Sequence, residues 1–146
     1  MSPEDLASRV GAALFEVDRV SKDLLQMELV LCEPGRAVIR MEVREAMLNA
    51  HQICHGGLIF TLADSTFAFA CNSRNLATVA AGASIEFLHP AQLGDVLTCE
   101  GVEQVLHGRH GVYDMVVRNQ RGEAIAMFRG KSAQIRGAVL PEGHAQ

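Results

Sequence analysis

The chain has no tryptophan and a single tyrosine among its 146 residues, and its densest basic cluster is Arg129-Gly130-Lys131. A nucleic-acid surface needs a basic stripe and aromatic platforms, so no nucleic acid is expected as a partner. Thirteen basic against seventeen acidic residues, a net charge of -4, point the same way. The N-terminus, MSPEDLASRVGAALFEV, has early acids and no basic segment followed by a long apolar run. It does not read as a secretory signal, and a cytoplasmic location is expected. No apolar stretch approaches the roughly 20 residues of a membrane-spanning helix, so no membrane partner is expected. Cys32, Cys54, Cys71 and Cys99 are scattered without a CxxC, which reads as free thiols rather than disulfides. There is no internal repeat or low-complexity block, and 49% hydrophobic content at this length fits one domain with a substantial core.

The chain does have an apolar stretch at 58–71, LIFTLADSTFAFAC, with one charged residue, Asp64, at its centre. It lacks proline and glycine, and Leu58, Ile59, Leu62, Ala63, Phe67, Ala70 and Cys71 recur mostly at three- and four-residue spacing, which predicts a helix. Apolar residues also fall on the opposite face, so this helix is expected to be buried nearly all round. A carboxylate at its centre is expensive unless compensated. Asp64 is then either a structural acid, bonded to Thr61, Ser65 or Thr66 or paired with a distant base, or a functional one. Just upstream, NAHQICHGG at 49–57 carries helix-start signals, and its glycines let backbone N–H groups approach a ligand. The unsatisfied N–H groups of a first helical turn suit an anion or a developing oxyanion.

Around this stretch the chain reads in order. Residues 3–15 form an amphipathic helix capped by Ser2, with Leu6, Val10, Ala13 and Leu14 as its buried stripe and Gly11 weakening its middle. From Leu25 the period drops to two, and EPGR at 33–36 makes 25–43 a hairpin. Strands follow at 76–88, closed by His89-Pro90, and at 96–106, 110–119 and 123–135 as a meander. Residues 1–137 are expected to form a single domain with an N-terminal helix, and 138–146 a disordered tail. The class is α+β: a curved antiparallel sheet of five or six strands wrapped round one long central helix.

The residues best suited to chemistry are Asn49, His55, Gly56 and Asp64. If helix runs from Gly56 to Asp64, eight steps of about 1.5 Å put their Cα atoms roughly 12 Å apart. One reacting carbonyl cannot reach both on the same chain. Two copies paired antiparallel about a two-fold axis would bring one helix start to the middle of the other helix, giving two composite sites and requiring a homodimer. Two rival chemistries are weak. His51, Cys54, His55 and Asp64 are metal-ligand types at no common zinc spacing, so no metal is expected. Cys54 beside His55 near a helix start is a candidate nucleophile, but a stray cysteine is commoner.

The run MLNAHQICHGGLIFTLADSTFAFACNS at 47–73, with GVYD at 111–114 and FRGKS at 128–132, closely resembles the hotdog-fold acyl-CoA thioesterases of the PaaI type, associated with phenylacetate degradation. The resemblance spans about residues 10–137 and includes the HGG-x6-D spacing, with Asn seven positions before the first of the two glycines. It implies a hotdog fold, an acyl-CoA substrate, no cofactor, and a homotetramer built from two dimers. By matching position, Gly56 resembles the oxyanion-hole donor, and Asp64 of the partner subunit the carboxylate that attacks the thioester or activates water. Asn49 resembles the residue that binds or positions the carbonyl or water, and His55 the one that holds the loop or assists the carbonyl. Some hotdog branches carry Glu at the acidic position and a hydroxyl four residues on; Ala68 stands there, which fits the Asp-based branch. Gly57, Ser65 and Phe67 are further expected substrate contacts, with Met47 and Phe69 as other candidate acyl-pocket residues, and Arg129 and Lys131, with Arg109 and His110, are expected near the coenzyme A phosphates. The implied acyl group is phenylacetyl or hydroxyphenylacetyl. Other aryl or short- to medium-chain acyl-CoA thioesters are the alternative, as is a non-catalytic acyl-CoA binder, against which the intact Asn, His, Gly and Asp set argues.

Overall fold

The computed structural model describes residues 1–141. Helix α1, Pro3–Val17, starts where Ser2 Oγ accepts from Asp5 N at 3.1 Å, with Pro3, Glu4 and Asp5 in its first turn. Its buried face is Ala7, Val10 and Gly11, rotated from the expected stripe; Leu6, Ala13 and Leu14 are only partly covered. The reason is close approach. A Cβ on Gly11 would stand 2.7 Å from Cys32 Cβ, so the glycine that weakens the helix is where it meets the sheet. A six-residue π-helical turn, Arg19–Leu24, follows and was not foreseen.

Six strands then form one antiparallel sheet: β1 (Glu28–Glu33), β2 (Arg36–Glu42), β3 (Thr78–Phe87), β4 (Val96–His107), β5 (His110–Arg118) and β6 (Ala124–Gln134). Their spatial order is β1-β2-β4-β5-β6-β3. Helix α2, Gly56–Asn72, lies in the concave face, in the hotdog arrangement expected from the sequence. Ile39, Met41, Leu97, Met115, Val117, Ala126 and Phe128 point inward from alternating strand positions onto Leu62, Phe67 and Phe69 of the helix. No helix among the described residues is long and apolar enough to cross a membrane.

Two expectations need correction. Helix α2 is not enclosed on every side: Gly57 is exposed, and Thr61, Asp64 and Ala68 are only half-buried, forming one open stripe at three- and four-residue spacing. An all-apolar pattern does not reveal which face its own sheet leaves uncovered. The chain also stays docked beyond Gly137. Asn75, at φ +66°, accepts Leu140 N at 2.7 Å and donates back to the Leu140 carbonyl at 3.4 Å. The expected tail therefore does not begin at 138, and its remainder, 142–146, lies outside the described residues.

Strand β3 is one of the two edges of the sheet, with eight of its ten residues exposed. Next to it, β6 presses its backbone onto the helix: a Cβ on Gly130 would stand 2.7–2.8 Å from three atoms of the Phe67 ring. Phe67 is buried and packed on Tyr113 and Phe128, so it cannot swing away. Gly130→Ala is expected to lower unfolding free energy by about 1–3 kcal/mol, read from urea denaturation.

Candidate active site

The loop before α2 is held from both sides. Asn49 Oδ1 accepts from His51 N at 2.9 Å and Ile53 N at 3.3 Å, and the main chains of Asn49 and Ile53 bond at 2.8 Å. This fixes Gln52 at φ +62°, an uncommon conformation for a residue with a side chain. Cys54 N donates to the Ala91 carbonyl and His55 N to the Met47 carbonyl, both at 2.8 Å, which seats the helix start against two separate segments. Asn49 is thus the residue that shapes the loop. Its Nδ2 makes no hydrogen bond among the described residues.

The first four N–H groups of a helix have no partner within it. In α2 three of them are satisfied. Gly57 N donates to His55 Nδ1 at 3.0 Å, and Leu58 N and Ile59 N donate to the His55 carbonyl at 3.0 and 3.3 Å. His55 is the helix cap, and because its Nδ1 accepts, its neutral ring carries the proton on Nε2. Gly56 N is the one left without a partner among the described residues. It sits at the positive end of the helix, where an oxygen gaining charge is stabilised.

Beside it lies an apolar cleft of about 280 Å³, lined by Gly56, Ile53, Ile59, Phe87, Leu88 and Pro90. A Cβ on Gly56 would come within 3.2 Å of the Phe87 ring, so the missing side chain lets that ring lie against the helix start. Phe87, Leu88 and Pro90 were not foreseen at the site. The His89-Pro90 break was visible, but that this strand end meets the start of α2 depends on the sheet order.

Asp64 is half-buried and makes no hydrogen bond or ion pair among the described residues. Its neighbouring hydroxyls are all engaged elsewhere: Thr61 donates to the Gly57 carbonyl, Thr66 to the Leu62 carbonyl, and Ser65 bonds Ser21. The structural role considered for this acid has no partner here. Burial, and then the negative charge of Asp18, hold its carboxyl above the ordinary value.

The other expected contacts separate. Ser65 is buried against Ser21, and Phe67 is a core ring between Tyr113 and Phe128, so neither faces the cleft. Met47 and Phe69 are core residues too, each 2% exposed. Gly57 is exposed, but its N–H belongs to the His55 cap. Arg129 and Lys131 alternate with the inward Phe128, Gly130 and Ser132, so they project from the sheet face opposite α2. Arg129 forms a two-pronged pair with Asp114 at 2.7 and 2.8 Å, which joins the GVYD and FRGKS motifs across β5 and β6. Neither base meets the cleft of its own chain, and Arg109 donates to the Gln134 carbonyl at a distant turn. Cys54 lies at the cleft, but burial pushes its thiol up to about 11, against a nucleophilic role. No group of three or more His, Cys, Asp or Glu converges among the described residues.

Comparison with known proteins identifies the family. Residues 51–126 match the Thioesterase superfamily. The chain is 43% identical to the acyl-coenzyme A thioesterase PaaI of Escherichia coli, over 89% of this chain and 92% of that one. The structure of the E. coli PaaI protein from the phenylacetic acid degradation operon superposes with a TM-score of 0.91 at 42% identity, covering 94% of this chain and 99% of that one. A Streptococcus mutans protein bound to acetyl CoA superposes with a TM-score of 0.74 at 28% identity, covering 77% of this chain and 90% of that one.

The strained acid has a thermodynamic signature. Because folding raises the Asp64 carboxyl, stability is untouched below the unfolded value, about pH 3.9, and is lost as pH rises through the raised one. Asp64→Asn is therefore expected to raise the thermal midpoint at pH 7, with the gain fading toward about pH 3.5. Melting curves of both proteins across this range check it.

Proposed function

The chain belongs to the thioesterase superfamily, and on that footing we propose that it is an acyl-CoA thioesterase of the PaaI type, cleaving phenylacetyl-CoA or hydroxyphenylacetyl-CoA to the free acid and coenzyme A. The observation that carries this reading is the unpartnered Gly56 N–H at the mouth of an apolar cleft. The thioester oxygen takes that N–H, and the aryl-acetyl group enters the cleft against Phe87.

Asp64 supplies the second half of the chemistry. As a general base it takes a proton from water, the resulting hydroxide adds to the thioester carbon, and the C–S bond breaks. Coenzyme A leaves as a thiolate and is then protonated. As a nucleophile, the same carboxylate adds first, expels the thiolate and forms an anhydride that water opens. Both routes need Asp64 ionised, so activity falls as pH drops through its raised pKa. Asn49 Nδ2 and the His55 ring border the helix start, as donors that orient the carbonyl or the water.

Asp64 lies about two helical turns from the Gly56 of its own chain, so the reacting carboxylate is Asp64 of the partner subunit. Two open surfaces support this pairing: the half-buried stripe of α2 that carries Asp64, and the unpaired edge of β3. The functional unit is a homodimer, with a homotetramer of two such dimers as the complete assembly.

Thiol release from a panel of acyl-CoA thioesters, measured as kcat/KM, tests the substrate. Highest values for the aryl-acetyl members are expected; a straight-chain optimum would reassign the acyl group, and no release from any member would leave a binding protein. The shared site is tested by mixing two inactive variants. Asp64→Asn is expected to lose about 10²–10⁴-fold in kcat. Gly56→Pro, which deletes the N–H at the first helical position and also sets a Cβ against the Phe87 ring, should lose at least about 10²–10³-fold. Refolded together in equal amounts, they should recover roughly one quarter of wild-type activity, because half the dimers then hold one intact site. A mixture as inactive as its parents would refute the composite site.

A further inference from the structure

The segment joining α1 to β1 reaches the helix that carries Asp64. Asp18 closes α1 and caps the π-helical turn Arg19–Leu24, a rare element that occurs disproportionately at functional positions. Both of its carboxylate oxygens are committed: Oδ1 accepts from Ser21 N at 2.9 Å and Oδ2 from Ser21 Oγ at 2.8 Å. Ser21 Oγ lies 2.7 Å from Ser65 Oγ in a buried contact. Since the Ser21 hydroxyl gives its proton to Asp18, Ser65 must donate to Ser21. The result is a directed chain, Ser65 to Ser21 to Asp18, that ends on a carboxylate and begins one residue from Asp64.

A packing contact between two segments does not require a charge at its end. Ser21 is fully buried and Ser65 nearly so, which fixes the geometry that holds Asp18 near α2. The other groups around Asp64 contribute little charge. Cys71 on its own helix is pushed up to about 12 by burial and stays neutral. Lys22, in the same turn as Ser21, is taken by Glu16 at 2.7 Å, and the buried face of α1 is Ala7, Val10 and Gly11.

We propose that Asp18 is a positioning residue for the reaction, a fixed negative charge clamped by Ser21 and Ser65 that sets the electrostatic environment of Asp64. This rests on Asp64 being the reacting carboxylate. Like charges oppose ionisation, so the unpaired Asp64 holds a proton more strongly with Asp18 present than without it, and acts as a stronger base.

The test is Asp18→Asn, which keeps a capping acceptor and removes the charge. In protein labelled with carboxyl-¹³C aspartate, the Asp64 resonance is identified by its absence in Asp64→Asn and titrated in both backgrounds. The Asp64 midpoint is expected at lower pH in Asp18→Asn than in wild type. In the pH profile of kcat/KM for phenylacetyl-CoA, followed by thioester absorbance, the acid limb moves the same way. At a pH below the wild-type midpoint, kcat/KM relative to its plateau should rise by about two- to fivefold. An unmoved ¹³C midpoint overturns the proposal, because a purely structural cap would leave it in place. Full activity in Asp64→Asn would instead overturn the catalytic assignment of Asp64 while leaving the titration result standing. If Asp18→Asn does not fold, Asp18→Ser, an uncharged capping residue, carries the same titration with the same two outcomes.

Discussion

Eight helical steps separate the Gly56 amide from Asp64, about 12 Å along a rod that does not bend to close the gap. The donor proposed for a forming oxyanion and the carboxylate proposed to drive the attack are therefore in fixed register on one element, yet can never meet within one chain. Two-fold pairing, as proposed, would turn this obstacle into precision. In the proposed dimer, a single interface sets both sites, and any error in the helix crossing is shared equally between them.

The helix start is built with comparable economy. One residue, His55, satisfies three of the four orphan N–H groups of α2, through its ring nitrogen and its carbonyl. That leaves Gly56 as the donor without a partner, at the point where the helix field is strongest. The loop that delivers His55 is braced by Asn49 and by the Met47 and Ala91 carbonyls, so the remaining N–H has a defined direction. Behind it, Phe67 against Gly130 locks the helix onto the sheet.

The helix, the strands and the Gly56 to Asp64 spacing were legible in the sequence because each rests on local periodicity or on fixed separations along the chain. The misread residues depend on contacts between distant segments. Phe67 and Phe87 look alike as isolated aromatics; only the placement of β3 beside β6, at the sheet edge, sends Phe87 to the helix start and leaves Phe67 in the core. Ser65 read as a substrate contact because nothing in the pattern of residues 19–24 announces the π-helical turn that brings Ser21 to it. The open stripe on α2 was invisible for a related reason, since apolar residues flank Asp64 whether a sheet or a second subunit covers them. The docking of Leu140 on Asn75 likewise joins positions 65 residues apart.

The cysteines carry a consequence of their own. Burial holds Cys32 and Cys54 at about 11 and Cys71 and Cys99 at about 12, so thiolate is scarce at every one of them near neutral pH. A protein that handles an activated acyl thioester and releases coenzyme A works among reagents that readily exchange with thiolates. With its own sulfurs buried and protonated, it offers little thiolate for transthioesterification by the acyl group or for mixed disulfides with the product it sheds.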